Sequence, residues 1–109
     1  MTRLRKYNNV KTTIYGVTFD SKKEAGRYVE LRMLLRQGAI SDLQTQPKFQ
    51  LFVNGSKVCS YIADFRYFDV GKHQWIVEDV KSKATKTPLY RLKKKILANQ
   101  LQPVYITEI

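Results

Sequence analysis

Between Leu43 and Lys81 the chain is a succession of strand-forming runs broken by turn signals, with a capped helical pattern on either side. Asn54-Gly55 separates "LQTQPKFQLFV" from "SKVCSYIADFRYFD" and reads as a tight hairpin turn. Gly71 and its neighbours supply a second turn before "QWIVEDVKS". Upstream, "TTIYGVTF" predicts a short strand or hairpin bent at Gly16. Ser21 with Glu24 three residues later is a capping-box pattern, Gly38 is a natural stop, and Tyr28, Leu31 and Leu35 form an apolar stripe. Downstream, Thr87 is placed to cap a second helix with Pro88 at its first position and Leu89, Leu92 and Ile96 as its stripe. "PVYITEI" closes the chain as a final strand. The order α-β-β-β-α-β predicts an α/β domain whose central mixed sheet is flanked by helices. It occupies residues 12–109, behind a basic arm over residues 1–11.

A chain of 109 residues makes one domain. Its twenty Lys and Arg against nine Asp and Glu leave a net charge of +11, which repels itself unless a polyanion is the partner. No apolar stretch approaches the roughly 18 residues needed to span a bilayer, and "MTRLRKYNNVK" has no apolar signal segment. Nucleic acid is therefore the expected partner and the cytoplasm the expected location. A single cysteine, Cys59, excludes an internal disulfide and reads as a small hydrophobe in a reducing compartment. A single histidine, His73, lies in the polar turn "VGKHQ", which argues against a zinc site or a His-based nucleophilic centre. Chemistry here falls to carboxylates and lysines.

Aspartate is disfavoured in strands, yet "YIADFRYFDV" and "WIVEDVKSK" each carry acids inside apolar runs. Residues two apart on a strand share a face, so Asp79 and Lys81 point one way with Trp75 and Val77. Glu78 points the other way with Ile76 and Val80. A hairpin through "VGKHQ" would set Asp64 opposite Asp79. Two carboxylates about 4 Å apart repel by roughly 4 kcal/mol at an effective dielectric of 20, so a proton, Lys81 or a divalent cation must offset them. A salt bridge would explain the Asp79-Lys81 pair alone, and the capping box would explain Glu24 alone. Glu24 nevertheless lies on the line of the buried stripe.

"FDSKKEA", "YIADF" and "VEDVK" together resemble the PD-(D/E)xK nuclease superfamily, closest to small phage-encoded nucleases of the Holliday-junction-resolvase type. Glu24, Asp64 and Asp79-Val80-Lys81 match that pattern in order over residues 13–109, with Ala63 where the family has proline. The resemblance implies a restriction-endonuclease-like core and Mg²⁺-dependent (or Mn²⁺-dependent) hydrolysis of phosphodiester bonds in branched or otherwise structured DNA, in phage recombination or replication, by a homodimer. It implies Asp64, Asp79, the Val80 carbonyl and Glu24 as metal ligands, and Lys81 beside the attacked phosphate. The run "KSKATKTPLYRLKKK" holds seven positive charges in fifteen residues. Such a run is often a solvated helix face; next to a phosphate-cleaving site it reads as a backbone clamp. Its members are Lys83, Lys86, Thr87, Arg91, Lys93, Lys94 and Lys95, with Arg3, Arg5 and Lys6 in the arm. The alternative expectation is a non-catalytic DNA-binding module that keeps the fold; RNA is a lesser substrate.

Overall fold

The computed structural model describes residues 11–82 and 85–109. Ten elements follow in order: β1 Thr12–Ile14, β2 Val17–Phe19, α1 Lys22–Arg36, β3 Ile40–Thr45, β4 Lys48–Val53, β5 Ser56–Ile62, β6 Phe65–Asp69, β7 Gln74–Asp79, α2 Pro88–Asn99 and β8 Ile106–Glu108. The chain is an α/β fold with a mixed sheet and two helices. Four strands form the main sheet in the order β3-β6-β7-β8, antiparallel except for the parallel pair β7-β8. Among the described residues five strands, not three, lie between the helices. β3, β6 and β7 join the main sheet, while β4 and β5 form a separate two-stranded ribbon inserted between β3 and β6.

Local chemistry sets the boundaries. Tyr15 (φ 50°) and Gly16 (φ 79°) make the left-handed turn joining β1 to β2, and Asn54 (φ 51°) and Gly55 (φ 79°) do the same at the ribbon tip. Both are two-residue turns whose twist suits a hairpin. Ser21 caps α1, its Oγ accepting from the Glu24 amide at 3.1 Å. Gly38 ends the helix in the left-handed region at φ 80°. The two long strand-like runs are each broken, at Gln46-Pro47 and at Ala63-Asp64.

Apolar cores lie on both faces of the main sheet. Phe19, Ala25, Tyr28, Leu31, Ile40, Phe65 and Tyr67 pack α1 and the first hairpin on one face. Leu51, Tyr61, Ala63, Val77, Tyr90, Leu97 and Ile106 pack α2 and the ribbon on the other. The expected stripe of α2 is corrected here. Leu89 and Leu92 are 61% and 56% exposed, and Tyr90 and Leu97 are the buried residues, with Ile96 partly buried behind them. The ribbon decides this, because Leu51 and Tyr61 present their side chains to Tyr90 and Leu97. Gln100 fastens the junction, accepting from the Phe52 amide and donating to the Gln50 carbonyl, both at 3.2 Å. Cys59 is half-buried against this core, and His73 is an exposed turn residue at φ 52°.

Candidate active site

Asp64 falls in the break between β5 and β6, not within a strand, and this frees its backbone to bond across to β7. The register of β6 on β7 pairs Phe65 with Glu78, so Asp64 comes opposite Asp79. The two interlock. The Asp64 amide donates to Asp79 Oδ1 at 3.0 Å, and the Val80 amide donates to Asp64 Oδ2 at 2.7 Å. Asp79 is 1% exposed, and its second oxygen, Oδ2, is buried without a hydrogen-bond partner. A buried, unsatisfied carboxylate oxygen is costly, and native chains rarely carry one without a use for it.

The electrostatics bring two more residues to this pair. Glu24, in the first turn of α1, has its pKa raised from 4.5 to about 7, first by burial and then by the charges of Asp64, Asp20 and Asp79. Asp79 is raised from 3.8 to about 6, and Asp64 is raised as well, both chiefly by burial. Lys81 pulls all three carboxyls back toward ionisation. Its ammonium lies 4.3 Å from the centre of the Tyr90 ring, a cation–π contact that holds it on the α2 side of β7. Lys23 donates to the Lys81 carbonyl at 3.1 Å, tying α1 to the same turn. Glu24, Asp64, Asp79 and Lys81, four residues far apart in sequence, thus act on one electrostatic neighbourhood. Asp20 belongs to it too and is absent from the sequence reading. Its position just before the Ser21 cap was the available signal.

Glu78 belongs elsewhere. It is 1% exposed on the opposite face of β7, where Arg27 Nε and Nη2 donate to its two oxygens at 2.8 and 2.6 Å and the Tyr67 hydroxyl also donates. This buried ion pair joins α1 to the sheet and leaves Asp79 without help from its neighbour.

Among the described residues no three His, Cys, Asp or Glu side chains gather as a ready metal cage. The donor set still suits a hard divalent cation, which takes one or two carboxylates and keeps several waters. Asp79 Oδ2 is the specific point of fit, an oxygen already desolvated and unshared.

The basic run divides into parts. Lys86 and Lys94 each pair with Glu108 at 3.0 Å, and Lys93 donates to the Ser60 carbonyl at 3.1 Å. Thr87 caps α2 by accepting from the Tyr90 amide at 3.1 Å. Pro88 at the first helical position carries no N–H, so Thr87 offers a phosphate less than the sequence suggested. Arg91 and Lys95 are exposed. Lys83 and the arm residues Arg3, Arg5 and Lys6 lie outside the described residues. A shallow groove lined by Ser60, Lys81, Thr85, Thr87 and Lys93 opens at Lys81.

Among the described residues no helix is long and apolar enough to cross a membrane. No curated protein and no solved structure matches the chain. Residues 4–109 match the model of a family described as a protein of unknown function, DUF1064, and the chain belongs to that family.

Proposed function

We propose that the chain is a metal-dependent endonuclease with a restriction-endonuclease-like core, hydrolysing phosphodiester bonds in branched or structured DNA as a homodimer. The observation that carries this reading is the interlocked Asp64–Asp79 pair, with one carboxylate oxygen buried and unpartnered and with Lys81 and Glu24 within its electrostatic reach. Helices on both faces and β3, β6, β7 and β8 in one sheet support a core of this kind if the ribbon is taken as an insertion.

Asp64, Asp79 and the Val80 carbonyl would hold Mg²⁺ or Mn²⁺, with Glu24 reaching it through water. When bound, such a cation offsets charge on the phosphate and acidifies a water. The Asp64 and Val80 amides fix the two carboxylates before substrate arrives, so no reorganisation is needed at the reacting centre. Lys81 would set its ammonium beside the phosphoryl oxygens, where negative charge grows. The Glu24 carboxyl is raised by burial and by the Asp64, Asp20 and Asp79 charges, a shift that a cation held by those carboxylates would offset. Lys93, Thr85 and Ser60 would receive the neighbouring backbone phosphate in the groove beside Lys81.

The test incubates purified protein with four-way junction, duplex and single-stranded DNA, with and without Mg²⁺. Asp64→Asn and Lys81→Ala should each lower cleavage by about 10² or more while leaving folding and binding in place. Cleavage at the parental rate by both variants overturns the site. The lack of a three-ligand metal cage among the described residues favours a second reading, a non-catalytic DNA-binding module. Metal-independent binding without any turnover by the parent protein would select it.

A further inference from the structure

The face of the main sheet that carries Asp79 is not covered along its whole length. Val77 and Asp79 lie under the α2 core, but the start of β7 runs out from beneath it. There Trp75, the only tryptophan in the chain, is 47% exposed. The β6–β7 register places Phe68 opposite Trp75 and Arg66 opposite Val77, all on this face. The Phe68 ring meets Trp75 edge-on at 5.4 Å, and the Arg66 guanidinium lies over the indole 3.9 Å from its centre. His73 stands edge-on to Phe68 at 6.3 Å. The result is a strip of one cation and three rings at the open end of this sheet face, with the buried Val77 between it and Asp79.

We propose that this strip is a stacking platform for unpaired bases of a nucleic-acid strand. The inference rests on the nuclease reading for the identity of its occupant, and it assigns the substrate class: nucleic acid with a single-stranded segment. An indole face recognises a base face, which a duplex hides between neighbouring pairs and a single strand exposes. Arg66 holds the indole by a cation–π contact and offers its charge to a passing phosphate. The chain's charge of +11 suits no polycationic or neutral occupant better than a phosphate backbone.

Because Trp75 is the only indole, tryptophan emission reads this position alone. The experiment titrates protein in a chelating buffer with single-stranded oligonucleotides, DNA and RNA in separate arms, and with blunt duplex of equal length. Anisotropy of an end-labelled strand is followed in parallel. Single strand should quench the emission saturably and duplex should leave it unchanged. Trp75→Leu should weaken single-strand binding by roughly five- to 150-fold, the range expected for one base–aromatic stack, and change duplex binding by less than about twofold. Trp75→Phe should restore most of the affinity, and Arg66→Gln, which keeps the fluorophore, should weaken binding and quenching together. Single-strand binding with unaltered emission overturns the platform, as does equal quenching by duplex. An emission change on concentrating protein alone, accompanied by a doubled mass, overturns it in favour of a second copy on this face. Without metal no cleavage enters the readout, so loss of the nuclease reading and loss of the platform are separate results.

Discussion

Asp79 and Glu24 sit where the protonated carboxyl is favoured. Burial is the main cause for both; it lifts Asp79 from 3.8 to about 6 and Glu24 from 4.5 to about 7. Between about pH 4 and 7 the folded chain therefore keeps protons that the unfolded chain has released, and stability falls as pH rises through that window. Glu108 works in the opposite sense. The Tyr90 hydroxyl, then Lys94 and Lys86, hold its carboxyl at about 2 against an ordinary 4.5, so its contribution is gained between those values and retained above them. Thermal unfolding in chelating buffer should show Tm rising from pH 2 to about 4.5 and then declining toward pH 7. Asp79→Asn removes a charge that burial penalises and should stabilise the metal-free protein at pH 8 by on the order of 1–3 kcal/mol while abolishing cleavage. A Tm at pH 8 no higher than the parent's would show that the unpartnered oxygen carries no penalty and has no need of a cation.

At the scale of elements, the contact that holds α1 to β7 is the Arg27–Glu78 pair with Tyr67, not the catalytic candidates. Removing Arg27 leaves a buried carboxylate with the Tyr67 hydroxyl but no counter-charge, and such losses cost about 3–5 kcal/mol. Arg27→Met should lower the unfolding free energy from urea titration accordingly, whereas Lys81→Ala, next to the same strand, should change it by less than about 1 kcal/mol. Equal losses from both would mean that the two faces of β7 are not separate. The alternation of β7 was legible in the sequence because each face has one chemical fate: Val77 and Asp79 on one side, Ile76, Glu78 and Val80 on the other. The caps at Ser21 and Thr87 and the Asn54-Gly55 turn were legible too, being local. The stripe of α2 was not. Residues 89, 92 and 96 and residues 90, 93 and 97 both fit a helical period, and the choice between them is made by Leu51 and Tyr61, far away in sequence. The ribbon was hidden for the same reason: strand-forming character in β4 and β5 does not say which sheet they join. The sequence places Asp64 within a strand, and its effective position comes from the break after β5. Arg27 gave no signal, since an arginine in a basic helix looks solvated until Glu78 is seen beneath it.

Over the whole molecule, twenty cations do not make twenty phosphate contacts. Lys86 and Lys94 are spent on Glu108, Arg27 on Glu78, and Lys93 is partly engaged by Ser60. Among the described residues of β6, α2 and the turn after β7, the cations with no salt bridge to a carboxylate are Lys81, Arg66, Arg91, Lys93 and Lys95. Five phosphate contacts on duplex would give a slope of about −4.5 in log K against log salt, at roughly 0.9 per contact. Arg91→Gln should make the slope shallower by about one and weaken binding to every duplex alike, because phosphate contacts carry no sequence information. Lys94→Gln should leave the slope unchanged and lower Tm instead, since its charge is already answered inside the fold by Glu108. Filter binding or anisotropy from about 50 to 300 mM salt measures both. If Lys94→Gln flattens the slope as much as Arg91→Gln does, Glu108 does not hold that lysine in solution. The basic run would then work as the undivided clamp that its sequence suggests.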